Sequence, residues 1–409
     1  MRGVLAFVTP PKDWRNRRFG VIAVRVRESG RPDLEPLSVY LDAGVVPRAS
    51  RDDNYNTLGE DLSKYLVVAP NDLVFNKLRT WQGGFGMSSF RGIVSPAYFV
   101  CRTSADVEPR YLDYLLHSVA WLQELTRVSK WMPPSQFDIG WEQLRDVPIL
   151  LPRLRVQREI AEFLDAETAR IDALIEKKRR MVRLLRERLR GMVMSELFGV
   201  RAPWIRVGRL VDLLPGFAFS SDLFSTDASG VRLLRGINVA PGRTRWDETV
   251  YLEPSRVREV QRFALTVGDL VIGMDRPVIG GGMRVAEIAE SDVPCLLVQR
   301  VARVRVNALA ERDWIRLALM SPAFVAYFYP IVTGVSVPHI SPDQIASFQV
   351  PLPDREKQRS ILRQLLMAER INEELSRAAS SQIALLRERR GALISAAVTG
   401  ELDVAKAAA

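Results

Sequence analysis

Leu184-Leu185-Arg186-Glu187-Arg188 returns letter for letter as Leu385-Leu386-Arg387-Glu388-Arg389, 201 residues further along the chain. Sliding the sequence on itself by that offset extends the match without a gap, residues 135–199 falling on 336–400. Leu151-Pro152 lands on Leu352-Pro353, Gln157-Arg158 on Gln358-Arg359, Ile160 on Ile361, Leu164 on Leu365 and Gly199 on Gly400. A fixed-period self-match of this kind marks a repeated architecture. It divides the chain as A-B-A′-B′, with A segments at 1–150 and 204–350 and B segments at 151–203 and 351–409.

The B segments read as long helices. Pro152 and Pro353 stand just ahead of each, where proline is tolerated, and Gly199 and Gly400 stand at the far ends. In the first, Ile160, Leu164, Ile171, Leu174, Met181 and Leu185 recur at mostly three- and four-residue steps. In the second, Ile361, Leu365, Leu375, Ile383, Leu386 and Leu393 give a comparable face, and Ala378-Ala379 permits close approach. These residues are expected to pack the two helices against each other as an antiparallel coiled-coil spacer. An unbroken helix over residues 155–197 would span roughly 64 Å at ~1.5 Å per residue. Two long helices that merely cover each other's apolar faces are the plainer alternative.

The A segments are mixed. Gly20-Val21-Ile22-Ala23-Val24-Arg25-Val26, Asp72-Leu73-Val74-Phe75 and Tyr98-Phe99-Val100-Cys101 read as strands, as do Asp269-Leu270-Val271-Ile272-Gly273 and Val298-Gln299-Arg300-Val301-Ala302-Arg303-Val304 in the second copy. Residues 111–125 and 314–327 read as helical. The fold class expected is α+β: two mixed α/β domains separated by two long antiparallel helices, with a pseudo-twofold internal repeat.

Composition narrows the chemistry. The chain has 409 residues, a net charge of +10, two cysteines and two histidines. Cys101 and Cys295 are too few and too far apart for a disulfide framework or a thiolate metal cage, and His117 and His339 sit in no recognisable motif. No metal site is expected. No apolar run approaches the ~20 residues of a membrane helix, and Val4–Val8 is followed at once by Thr9-Pro10-Pro11, unlike a secretory signal, so a cytoplasmic location is expected. By segment the net charge is +2 for residues 1–147, +5 for 148–203, +1 for 204–349 and +2 for 350–409. Any contact of the A domains with a polyanion must therefore come from local clusters. The densest basic run, Lys177-Lys178-Arg179-Arg180, either touches phosphates or is a solvated helix face.

Catalytic motifs are missing. No G-x-x-x-x-G-K-[ST] loop occurs, and Met132-Pro133-Pro134-Ser135 lacks both the polar lead and the aromatic of an amino-methyltransferase loop. Trp81-Gln82-Gly83-Gly84-Phe85-Gly86 reads as a flexible loop, and Asp354-Arg355-Glu356-Lys357 as charge compensation at a helix start.

These residues resemble a known family, the specificity (S) subunits of type I restriction-modification systems. The resemblance rests on Leu352-Pro353 with Gln358, on the run from Leu386-Arg387-Glu388-Arg389-Arg390-Gly391 to Val398-Thr399-Gly400, and on Lys77-Leu78-Arg79-Thr80-Trp81-Gln82-Gly83 with Ser95-Pro96-Ala97-Tyr98. Leu234-Arg235-Gly236-Ile237-Asn238 and Gly268-Asp269-Leu270-Val271 fit the second A domain. The first copy departs from the pattern at Arg155-Val156-Gln157, where an acidic residue commonly precedes the glutamine.

The resemblance implies that each A segment is a target recognition domain reading half of a bipartite, asymmetric site in double-stranded DNA. The helices would set the gap between half-sites and dock two modification (adenine methyltransferase) subunits, which supply the S-adenosylmethionine chemistry. Restriction/translocase subunits would join that core. This chain would then bind no cofactor and hold no catalytic residue. Direct readout needs donor and acceptor side chains on loops. The expected DNA contacts are Lys77, Arg79, Gln82, Ser88, Arg91, Lys130 and Gln136 in the first domain. In the second they are Arg235, Asn238, Arg243, Arg245, Arg276, Arg284, Ser336 and His339. Trp81 and Trp131 either stack on a base or pack beneath a loop. The alternatives are a non-enzymatic protein scaffold that binds no DNA, and a specificity subunit of another restriction or modification class.

Overall fold

The structure is a computed structural model that describes residues 11, 13–51, 58–59, 61–129, 139–331 and 338–407. It divides into two compact units, one formed by Met1–Lys178 with Ser380–Ala409, the other by Arg179–Ala379.

In the first unit, β1 (Ala23–Val26), β2 (Asp72–Phe75), β3 (Phe85–Met87) and β4 (Phe99–Thr103) form an antiparallel sheet in the order β1-β4-β2-β3. Ala23 faces Thr103, Asp72 faces Arg102, and Phe75 faces Phe85. Two helices follow, α1 (Pro109–Leu116) and α2 (Val119–Val128). The strand Pro148–Leu151, paired with Arg15–Arg18, leads into the long helix α3 (Leu154–Met192).

The second unit repeats this plan. Its sheet, β5 (Val211–Pro215), β6 (Leu270–Gly273), β7 (Val285–Glu287) and β8 (Val301–Val306), runs in the equivalent order β5-β8-β6-β7. Helices α4 (Arg312–Met320) and α5 (Pro322–Phe328) follow, and the strand Gln349–Pro351, paired with Trp204–Arg206, leads into α6 (Arg355–Thr399). The chain is thus the α+β duplication its sequence predicts.

Departures from the sequence reading have local causes. The run 20–26 is a strand only from Ala23, because Phe19 and Ile22, three residues apart, both bury on one helical turn. The helix expected over 111–125 is broken at Ser118, whose hydroxyl donates to Leu115 O at 2.7 Å and accepts from Trp121 N–H at 3.3 Å. Ser321 splits the second helix identically, donating to Ala318 O and accepting from Phe324 N–H. A serine that caps the next helix competes with continuation of the one before.

Each long helix is anchored in the unit cores. Ile160, Ala161 and Leu164 of α3 bury in the first core together with Ile394, Ala397 and Val398 of α6. In the second, Ile361, Leu362 and Leu365 of α6 bury with Val193 and Leu197, which follow α3. Within the first unit Tyr111 bonds both Leu150 O and Val398 O, while Arg390 pairs with Asp172 farther along, so the segments run antiparallel. In the second, Asn372 Nδ2 donates to Leu185 O at 2.9 Å.

The stripe read from the sequence needs one correction. Ile160, Leu164, Ile171, Ile361 and Leu365 are buried, and Met181, Leu185, Ile383, Leu386 and Leu393 are half-buried, but Leu174 and Leu375 are exposed. Their places are taken by Ile175 and Ala379, both buried. In the first helix the inward position moves along by one residue, as the drift of 3.6 residues per turn from a strict 3.5 repeat allows; in the second the small Ala379, one turn beyond Leu375, makes the close contact.

The closest structural echo of the repeat is a pair of buried glutamines. Gln157 Oε1 accepts from Glu108 N–H at 2.8 Å while its Nε2 donates to Pro152 O at 2.9 Å. Gln358 Oε1 accepts from Glu311 N–H at 2.8 Å while its Nε2 donates to Pro353 O at 2.8 Å. Each side chain ties the start of a long helix to the start of the short helix packed on it. Both are fully buried and satisfy main-chain groups at helix starts.

Candidate nucleic-acid interface

In the first unit the turn after β2 presents the predicted cations. Asn76 N–H donates to Gly84 O, Gly84 N–H to Arg79 O, and Thr80 Oγ1 to Asn76 O, closing residues 76–84 into a braced loop. Gly83, at φ +85°, ends it, and a Cβ there would press the His117 ring at 3.3 Å. Arg79 and Gln82 stand exposed on this loop, and Lys77 is half-buried. Trp81 is partly buried against the core, which favours packing over stacking.

The same loop meets Tyr98 through Asn76 Nδ2, 3.2 Å from the phenol oxygen. Burial pushes the Tyr98 phenol up, against the charges of Arg79 and Arg48. Those two arginines therefore share one neighbourhood, and Arg48 was missed by the sequence reading because it sits about 30 residues away on a short 3-10 turn. Arg91 is exposed on a different turn, where its charge reaches Asp33. Ser88 is a correction: it is buried, its hydroxyl donating to Phe90 O at 2.8 Å and accepting from Phe90 N–H at 3.1 Å. It shapes the turn and is out of reach of a duplex. Lys130, Gln136 and Trp131 lie outside the described residues.

In the second unit two further predicted contacts prove internal. Asn238 is buried; its Oδ1 accepts from Arg235 N–H at 3.0 Å, and its Nδ2 donates to Arg245 O and Glu248 O. Arg284 is buried beneath the loops, with Nε donating to Val239 O at 2.9 Å and a terminal nitrogen to Asp275 O at 2.8 Å. Burial, with the charge of Arg245 added, depresses its pKa. Both are main-chain braces, because a buried loop carbonyl without a donor is costly.

The remaining candidates surround that brace. Arg243 is exposed at the end of the 240–243 hairpin, where its side chain makes no hydrogen bond or ion pair among the described residues. Arg245 Nε donates to Ile237 O and Arg235 to Glu248 O, so each is partly committed to its loop. Arg276 is exposed, and its N–H donates to Pro338 O. His339 Nδ1 lies 2.7 Å from Asp275 Oδ1. Arg300, not anticipated from sequence, lies with its Nε 3.7 Å from Asp275 Oδ2. Its position inside a strand-like run concealed it. Ser336 lies outside the described residues.

Chemically, both assemblies are donor surfaces: guanidinium and amide groups on braced loops, suited to phosphate and base-edge acceptors. On α3, Lys177, Arg179 and Arg180 are exposed. Both cysteines are buried, and burial raises each thiol to about 12. Among the described residues no group of His, Cys, Asp or Glu is arranged to hold a metal. No helix among them is long and apolar enough to cross a membrane.

No family model matches the chain. Along 96% of its length it is 23% identical to the type I restriction enzyme MjaVIII specificity subunit of Methanocaldococcus jannaschii, covering 94% of that protein. Over 160 residues it is 36% identical to the EcoAI specificity subunit of Escherichia coli; that match spans 39% of this chain and only 27% of the relative. In fold it is similar to a chain solved in a study of complex assembly and conformational transition of the type I R-M system, with a TM-score of 0.72 at 18% identity, covering 96% of this chain and all of that one. The HsdS subunit of Thermoanaerobacter tengcongensis follows, with a TM-score of 0.50 at 19% identity over 96% of this chain and 98% of that one. The chain is thus similar along nearly its whole length to a type I restriction enzyme specificity subunit, and it shares its fold with the HsdS subunit and with a chain from the type I R-M study.

Proposed function

We propose that the chain is the sequence-specific DNA-binding subunit of a type I restriction-modification system, reading a bipartite, asymmetric site and assembling the modification and restriction subunits upon it. The observation that carries this reading is the duplication: two units of one sheet order, each joined to a long helix through the same buried glutamine contact, bear different loops. Similar scaffolds with different surfaces are what two half-site readers on one chain require. Exposed guanidinium groups on braced loops, Arg79 in one unit and Arg243 and Arg276 in the other, supply donors for bases and phosphates.

In this reading the units are the target recognition domains and the long helices the spacer. The 39 residues of α3 measure roughly 58 Å and the 45 of α6 roughly 68 Å at ~1.5 Å per residue. Two adenine methyltransferase subunits carry the S-adenosylmethionine, restriction/translocase subunits join them, and this chain contributes recognition and no catalytic residue. It acts where its DNA is, in the cytoplasm.

The test is single-molecule methylation sequencing of cells carrying the chain with its methyltransferase, against cells lacking the chain. A bipartite adenine motif with a fixed gap that vanishes with the chain is the expected result. An unchanged methylome under confirmed expression would refute it and favour a scaffold that binds no DNA. Arg79→Ala should weaken one half of the motif and leave the other intact.

A further inference from the structure

Two arginines of the second unit adopt a backbone conformation that arginine avoids. Arg276 has φ +42° and Arg300 φ +71°, whereas the other positive-φ positions among the described residues are eight glycines and Asn71. An L-residue there crowds its own Cβ against the following carbonyl, a cost glycine escapes. Gly280 and Gly281, four and five residues beyond Arg276, show glycine in that conformation nearby. Side chains kept at such positions are candidates for a role that the backbone alone does not fill.

Arg300 approaches the carboxylate of the residue that precedes Arg276. Arg276 follows Asp275 in the chain, and Arg300 Nε lies 3.7 Å from Asp275 Oδ2, while Oδ1 of the same group meets His339 Nδ1 at 2.7 Å. The main chain of all three segments is locked. Met274 N–H donates to Arg300 O at 2.9 Å, Arg276 N–H to Pro338 O at 2.8 Å and Ile340 N–H to Met274 O at 3.0 Å. Buried Arg284 holds Asp275 O from below. Yet the Arg300 side chain is 59% exposed, and Arg276 is exposed as well. Fixed backbone under two exposed arginines, with the Asp275 carboxylate beside the Arg300 guanidinium, presents donors from a braced surface.

From this juxtaposition we propose that Arg300, together with Arg276, contacts the DNA of the half-site read by the second unit, and that Asp275 is the positioning residue that sets the Arg300 guanidinium. The inference rests on the DNA-reading function above and names the residues that carry it in this unit. A guanidinium offers a rigid fork for guanine O6 and N7 or for phosphate oxygens, and one already held in place loses less freedom on binding.

The test uses the full chain in complex with its methyltransferase and a duplex carrying the bipartite site found by methylation sequencing. Competitors have one or the other half-site scrambled, and thermal melting is measured in parallel. Arg300→Gly should melt at or above the parent temperature, since glycine relaxes the left-handed backbone, and should bind about 10- to 100-fold more weakly. That loss should disappear on the duplex whose second half-site is scrambled. Asp275→Asn should weaken binding by about 3- to 10-fold with the parent's salt dependence, since the number of phosphate contacts is unchanged. Arg300→Lys supports a base-edge contact if discrimination is lost, and a phosphate contact if affinity and discrimination both survive. Parental binding by Arg300→Gly, equal weakening on both half-sites, or a large drop in melting temperature would overturn the proposal. A parent complex with no site-dependent binding would instead remove the DNA-reading function, and this inference with it.

Discussion

Replacing Gln358 by leucine, a side chain of similar volume, tests how the long helix is fastened to its unit. The glutamine is fully buried and serves Glu311 N–H and Pro353 O, each at 2.8 Å, with Leu309 O a weaker contact at 3.5 Å. Gln358→Leu fills the space but strips two main-chain groups of their partner. A buried polar group left without one costs about 1–3 kcal/mol, so the substitution should cost about 2–4 kcal/mol. In a domain of ~200 residues each kcal/mol moves the midpoint by about 2–4 °C, so the transition of this unit should fall by roughly 5–15 °C. Thermal denaturation of the full chain followed by circular dichroism reads the shift, and hydrogen exchange at the Glu311 amide reads its local cause. Gln157→Leu should reproduce the effect in the first unit through Glu108 N–H and Pro152 O. A midpoint within about 1 °C of the parent, with Glu311 still protected, would refute the reasoning.

Three further outcomes follow from the same geometry. Arg316 and Glu369 form a two-pronged pair at 2.9 and 2.6 Å, little exposed, so Glu369→Leu should cost about 3 kcal/mol in urea denaturation, the low end for breaking a buried pair because Asp313 still serves Arg316; no change in midpoint would show the pair to be idle. Burial acts to raise the Asp269 carboxyl, and the Arg305 guanidinium and Thr266 amide overcome it and hold it below the usual range. A depressed carboxyl stabilises above its unfolded pKa of about 4 and loses that contribution as pH falls through the folded value, so melting temperature should drop below about pH 4, and Asp269→Asn should flatten the drop; a parental slope in the variant would contradict this. Cys101 and Cys295, with thiols raised to about 12 by burial, should resist alkylation at pH 8 until denaturant is added, whereas prompt labelling of either would mean the core around it opens.

The duplication, both long helices and five of the eight sheet strands were legible because period and punctuation are local signals, whereas Phe85–Met87 was read as part of a loop and Val211–Pro215 and Val285–Glu287 were not read at all. Pro152 and Pro353 mark the helix starts, and Asp72-Leu73-Val74 and Asp269-Leu270-Val271 open equivalent strands. Much of the second-order agreement was not legible. Ser118 and Ser321 break the short helices alike, and Arg102, paired with Asp72, corresponds to Arg305, paired with Asp269, yet the serines and the arginines each lie 203 residues apart, so a fixed 201-residue shift slides past them.

The interface was read less well, and for a physical reason. Residue type identifies a donor but not which way it points. Ser88, Asn238 and Arg284 have the right chemistry and spend it on neighbouring carbonyls and amides. Arg300 looked like part of a strand, and only its left-handed backbone beside Asp275 sets it apart.

The way the units divide the chain also bears on the order in which they can fold. Arg179–Ala379 is continuous, so the second unit holds all its own parts once residue 379 has left the ribosome. The first unit is begun earlier and completed later: Ile160 and Leu164 wait for Ile394, Ala397 and Val398, made more than 200 residues afterwards. During synthesis the earlier-made domain is therefore the one left with apolar surface uncovered. A chain ended at residue 379 and released from the ribosome should present that surface to chaperones through its first unit and not its second.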